Sequence, residues 1–262
     1  MSGTLHRGSC HCGAVAFLAE GPLREVIACH CGQCRAWSGH FWAATSVPLD
    51  RFRLTETRGL AWFRSSDMAE RGFCRICGAS LFWKPDREYR ISFSPAALEG
   101  PSGLHVAHHW HREDAGDYYS PDGSPPPAAR ADVPGRLQAR CLCGGVRFTL
   151  PGPAGTVTAC HCSQCRKLSG HYSASFDADE DALRYSERDT LAEYATPGGG
   201  RRGFCERCGS SLWFRAADGA FSVEAGCIAG PSGGRLAGHI FTADKGDYYT
   251  IDDGLPQAEG RG

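Results

Sequence analysis

No run in this 262-residue chain approaches the roughly 20 apolar residues that a membrane span needs. The opening stretch, Met1 to Cys10, holds no apolar core of the kind a secretory leader carries. Charge of one sign is also missing: 28 Lys and Arg stand against 29 Asp and Glu, a net charge of −1. Counted by half, residues 1–130 hold 14 basic and 13 acidic side chains, and residues 131–262 hold 14 and 16. No basic stripe emerges to meet a phosphate backbone, so no nucleic acid is expected as a partner. Nor does any segment carry a 3.6-residue apolar stripe over three turns, so long helices are not expected. These absences point to a cytoplasmic protein with no membrane partner.

What is abundant is cysteine. Fourteen of the fifteen fall into one pattern written twice. The first copy has Cys10 and Cys12, then Cys29, Cys31 and Cys34, then Cys74 and Cys77. The second has Cys141 and Cys143, then Cys160, Cys162 and Cys165, then Cys205 and Cys208. Cys10 and Cys141, Cys29 and Cys160, and Cys74 and Cys205 are each 131 residues apart. A period that long means two duplicated domains. Residues 1–120 form the first copy and residues 136–262 the second. Residues 121–135 are a linker rich in proline, semi-rigid by composition. The pair Tyr118-Tyr119 matches Tyr248-Tyr249 at an offset of 130, so a later loop has lost a residue.

Short alternating runs, such as Val15 with Phe17 and Val146 with Phe148, predict strands, so each copy reads as mainly β. The thiols sit as CxC, CxCxxC and CxxC, spacings that suit a shared metal better than disulfides between distant strands. Zn²⁺ takes four ligands, and a CxxC supplies half a site. The other half could come from Cys10 and Cys12 or from two members of the CxCxxC cluster; pairing Cys10 and Cys12 with Cys74 and Cys77 leaves Cys29, Cys31 and Cys34 as a three-sulfur set with a free fourth position. Three protein ligands plus an exchangeable one is the form of a catalytic zinc site. The alternative is that His30, His40 or another side chain closes the triad into a second structural site.

The series Cys-x-Cys-Gly, Cys-His-Cys-x-x-Cys-Arg and Phe-Cys-x-x-Cys-Gly-x-Ser resembles the glutathione-dependent formaldehyde-activating enzyme (GFA) family, which shares its domain with centromere protein V. The ending from His239 to Pro256 is also similar. The likeness spans nearly all of both copies, although the first lacks the Leu-Pro close. It implies two tandem β-tent domains, each with two zinc ions, four per chain. By motif match, Cys10, Cys12, Cys74 and Cys77 take the structural role, as do Cys141, Cys143, Cys205 and Cys208. The catalytic triads fall on Cys29, Cys31 and Cys34 and on Cys160, Cys162 and Cys165. The implied reaction is a carbon–sulfur lyase activity, the reversible addition of glutathione to formaldehyde to give S-(hydroxymethyl)glutathione.

Three thiolates donate much charge, so a water on such a zinc is less acidified than on a histidine-bound metal, whereas an incoming soft thiolate is suited to it. An acid is then needed for the alkoxide, and His40 and His171, present in both copies, are the candidates, with a backbone-bonded strand histidine as the alternative. Glutathione has two carboxylates, which makes Arg35, Arg71, Arg166 and Arg202 candidate substrate-binding residues. Arginine beside a zinc–thiolate site also simply offsets its charge. Two other readings stand beside the lyase. One is a zinc-held structural or interaction module, and the other is a thiol–zinc enzyme acting on a different small electrophile. The two copies are candidates to pack as an intramolecular pseudo-dimer.

Overall fold

A computed structural model describes residues 3–261. It is mainly β, in two similar halves. In the first, a three-stranded antiparallel sheet (Leu5–Ser9, Ala16–Glu20, Phe52–Glu56) packs on a seven-stranded sheet. The second half repeats this with a four-stranded and a seven-stranded sheet. Alternation does the work locally: Phe17 and Ala19 are buried while Glu20 faces water, and Phe148 and Leu150 are buried while Arg147 is exposed. Phe17 then meets Phe52, Phe82 and Phe93 in the first core. No helix among the described residues is long and apolar enough to cross a membrane.

Two short helices stand among the strands, α1 (Gly32–Ser38) and α2 (Ser163–Ser169). Each starts inside a CxCxxC cluster, where the Sγ of Cys31 or Cys162 accepts the N–H of Cys34 or Cys165, and each ends on a left-handed glycine, Gly39 or Gly170. Seven residues are too few to show a helical period in sequence.

The lost residue falls in one hairpin. Phe93 pairs with Thr45, and Val223 pairs with Phe176, so the offset is 131 up to Phe82 and Trp213 and 130 from Phe93 and Val223 onward.

The halves interlock. The Tyr118 carbonyl accepts the N–H of Leu236, and the Tyr248 carbonyl accepts that of Val106, so each Asp-Tyr-Tyr segment completes the other half's edge. Asp117 accepts the N–H groups of Ser232 and Gly233 at 2.9 and 3.0 Å, and Asp247 accepts those of Ser102 and Gly103 at 2.6 and 2.9 Å. The buried Trp37 indole donates to the Cys208 carbonyl at 2.9 Å. Gly78 and Gly209, which close the CxxC knuckles, have φ of +76° and +78°. A Cβ on Gly78 would meet Phe204, and one on Gly209 would meet Phe73, so both conformation and close approach require glycine.

Candidate metal centres and their clefts

All fifteen cysteines are free thiols. Cys10, Cys12, Cys74 and Cys77 bring their sulfurs within 4.8 Å of one another, and so do Cys141, Cys143, Cys205 and Cys208. Each set joins a hairpin start to a knuckle between two strands of the large sheet, which is why distant sequence motifs meet. With Zn–S near 2.3 Å, the edge of a tetrahedron is about 3.8 Å. Cys10 to Cys12 is 3.6 Å and Cys12 to Cys74 is 3.7 Å, and the second half repeats both distances. The four-sulfur sets therefore fit a structural zinc ion.

Cys29, Cys31 and Cys34 form a separate three-sulfur cluster, as do Cys160, Cys162 and Cys165. No histidine or carboxylate joins either among the described residues. The first sulfur comes from a strand end, the second from the residue that caps α1 or α2, and the third from the first turn of that helix. Hydrogen bonds from Cys29 and Cys34 draw the Cys31 thiol down to about 2, and Cys160 and Cys165 do the same to Cys162. Cys29 and Cys34, and Cys160 and Cys165, are raised in turn, so a single negative charge is shared by hydrogen bonds across each cluster.

The arginines divide into two kinds. Arg71 and Arg202 are buried on the triads, with Nη2 donating to Cys34 Sγ at 3.4 Å and to Cys165 Sγ at 3.0 Å. Arg35 instead donates from Nε to the Asp114 carbonyl at 2.9 Å, and Arg166 sits in the last turn of α2. His40 and His171 lie between the halves, with Nδ1 at 2.7 Å from the Tyr118 hydroxyl and 2.9 Å from the Tyr248 hydroxyl. Burial holds both well below the usual histidine range, hence neutral. Neither joins a sulfur cluster. His30 and His161, between ligands in sequence, turn to Tyr119 and His109 and to Tyr249 and His239.

A cleft of about 890 Å³ opens on Cys160, Cys162 and Cys165. Its walls include Thr158, Gln164, Ser173, Arg202 and Phe214. Behind it the buried Glu224 carboxylate lies 3.5 Å from Arg202 Nη1 and accepts the Ser173 hydroxyl at 2.8 Å. Burial raises the Glu224 carboxyl to about 7, against the pull of Arg202. Glu224 and Gln164 were not among the residues expected from sequence. Glu224 stands where the first copy has Ser94, and that departure between copies was its one visible signal. A smaller cavity of about 330 Å³ lies between the halves beside His30, His109 and His239, but no three metal-ligating atoms converge there.

The family model described as glutathione-dependent formaldehyde-activating enzyme matches residues 5–109 and 136–244. The chain belongs to this family. It carries the family's domain twice. A provisionally named glutathione-dependent formaldehyde-activating enzyme of Halomonas elongata is 35% identical over 85 residues, 29% of this chain and 54% of that protein. An uncharacterized lyase of Schizosaccharomyces pombe is 31% identical over 78 residues, 30% of this chain and 56% of its own. The chain thus spans about half the length of these relatives. A Rhodobacter sphaeroides protein of known crystal structure is 26% identical, with 39% of this chain and 98% of that one covered, at a TM-score of 0.33.

Proposed function

We propose that the protein is a zinc-dependent carbon–sulfur lyase that adds glutathione reversibly to formaldehyde or a similar small aldehyde. The observation that carries this reading is the three-sulfur cluster opening on a cleft, with no histidine or carboxylate among the described residues to complete a fourth protein ligand. The relatives' names support the same class. Zinc held by Cys160, Cys162 and Cys165 would supply a site for a soft thiolate sulfur.

The chain's own residues do the rest. The Arg202 guanidinium is among the residues lining the cleft, and its positive charge favours an alkoxide or carboxylate oxygen held there. Its Nη2 contact to Cys165 Sγ offsets thiolate charge, so it serves both readings made of it from sequence. Thr158, Ser173 and Gln164 give the cleft the polar wall that a peptide thiol requires. His40 and His171, neutral and bonded to tyrosine hydroxyls, serve the packing between the halves in this proposal, and Arg202 takes the place at the reacting oxygen.

The test is exchange NMR on glutathione and formaldehyde with zinc-loaded protein. Exchange with S-(hydroxymethyl)glutathione should run faster than without protein, and Cys162→Ser should return it to the uncatalysed rate. No acceleration by the zinc-loaded wild type would refute the lyase reading.

A further inference from the structure

The third sulfur of each three-sulfur cluster is the most deeply placed. Cys34 and Cys165 are each 4% exposed, whereas Cys29, Cys31, Cys160 and Cys162 are half-buried. Each third sulfur comes from a helix of only seven residues, too short to hold its own shape in water. The surface under the helix therefore decides where that sulfur stands, and much of that surface belongs to the opposite half. Helix α1 rests on the strand Ser211–Arg215 and the turn Ala225–Cys227, and α2 rests on the strand Ser80–Pro85 and the turn Pro95–Ala97.

One turn on from Cys34, the fully buried Trp37 donates its indole N–H at 2.9 Å to the carbonyl of Cys208, a member of the second half's four-sulfur set. The Gly39 carbonyl that ends α1 accepts the Gly226 N–H at 2.8 Å. A Cβ on Gly226 would stand 2.6 Å from the Gly39 oxygen and 2.7 Å from the Arg35 oxygen, so the closeness of α1 requires glycine there. One turn on from Cys165, Leu168 is buried in the first half's core with Cys10, Cys74 and Cys77. Lys167 Nζ donates to Ser9 Oγ at 3.0 Å, and the Ser94 hydroxyl donates to the Gly170 carbonyl at 2.6 Å. Its own half gives each helix the strand that follows it and one arginine on the sulfur, Arg71 or Arg202.

We infer that each three-sulfur cluster is assembled by both halves: its own half fixes the first sulfur, and the opposite half positions the third through the helix that carries it. Ser94 is then a positioning residue for Cys165, and Gly226 is one for Cys34. The first sulfur needs no such help, since Cys29 and Cys160 end strands within their own half's sheet. What the assembled cluster binds rests on the function proposed above. The placing of the third sulfur rests on the packing alone. Neither half is therefore a separate unit of chemistry, although each holds a full set of cysteines.

Alkylation of the full zinc-loaded chain with iodoacetamide, read cysteine by cysteine by peptide mass spectrometry, tests this. Cys34 and Cys165 should label slowly, since the reagent reaches them only when the helix opens. Ser94→Ala lies in the first half, yet it should speed Cys165 by about fivefold, the effect of one hydrogen bond on that opening, and leave Cys34 unchanged. Gly226→Ala lies in the second half and should speed Cys34 while leaving Cys165 unchanged. Amide exchange across α1 and α2 on the same samples should show the same crossed pattern, which keeps the test open where bound zinc shields the sulfurs. Effects confined to the variant's own half, equal effects in both halves, or no effect of Ser94→Ala in either measurement would each overturn the inference. If Gly226→Ala does not fold, Ser94→Ala decides alone. The crossed pattern without any acceleration of glutathione exchange would leave the inference standing and remove the lyase reading.

Discussion

Asp117 and Asp247 make nearly the same bonds across the interface, and they differ in how much water reaches those bonds. Asp117 accepts Ser232 N–H, Gly233 N–H and the Ser232 hydroxyl, where Ser232 and Gly233 are buried. Asp247 accepts Ser102 N–H, Gly103 N–H and the Ser102 hydroxyl, but Gly103 and Asp247 itself are exposed. Truncation to Ala strands two backbone N–H donors in each case, while the serine hydroxyl is free to rotate to another acceptor. A buried unpaired donor costs about 1–3 kcal/mol, and an exposed one is re-solvated. Asp117→Ala should therefore lose about 2–4 kcal/mol, and Asp247→Ala under about 1 kcal/mol. At about 2–4 °C per kcal/mol for a chain near this size, the melting temperature should fall by roughly 4–16 °C and by less than about 4 °C. Scanning calorimetry in excess zinc reads both. Equal losses would show that burial does not govern this clamp, and no loss from Asp117→Ala would mean the halves are held by other contacts.

Cys77→Ser and Cys208→Ser should each remove one zinc and unfold the affected half, since metal binding there is folding free energy; zinc content with far-UV circular dichroism checks this. Cys162→Ser should lose a zinc while leaving the dichroism spectrum intact. Glu224 gives a pH signature. Its folded carboxyl lies at about 7 against an ordinary 4.5, so the native state holds a proton that the unfolded chain has released. Its contribution is present below pH 4.5 and is lost as pH rises toward 7. The stability of wild type relative to Glu224→Gln should fall by up to about 3 kcal/mol across that window, read by urea unfolding. A flat difference would count against the raised carboxyl. Trp42→Ser should lose about 3–5 kcal/mol by leaving a cavity against Trp37, measured the same way.

The sequence made the cysteine clusters legible because their geometry is local. A CxxC or CxCxxC commits its sulfurs to one turn whatever the rest of the chain does, and the glycine after each knuckle takes the positive φ that the spacing implies. The 131-residue repeat likewise needed only counting. What could not be read was set by pairing between distant strands. That Ser173 rather than Trp42 faces a cluster matters only once Cys160 and Cys29 are known to lie opposite them. Glu224 looked like any strand carboxylate until the fold buried it beside Arg202. The matching Asp-Tyr-Tyr segments were visible, but their exchange between halves depends on which edge each one meets. His40 and His171 followed the clusters closely in sequence, yet a left-handed glycine turns the chain between helix and histidine and sends them to the interface.

The duplication keeps the supports of the fold apart from the three-sulfur clusters. Each half is closed by its own four-sulfur set, and the halves are held together by the knuckle glycines, Trp37 and the exchanged tyrosine segments. None of these needs the three-sulfur clusters to be open. A chain with one copy would have had to keep polar, half-satisfied groups such as Arg202 and Glu224 beside its only site. With two copies, the first can replace that costly polar chain by the Trp37–Trp42 pair, while the second keeps it. The Trp42 ring is then also part of the core, which is why Trp42→Ser should lower stability.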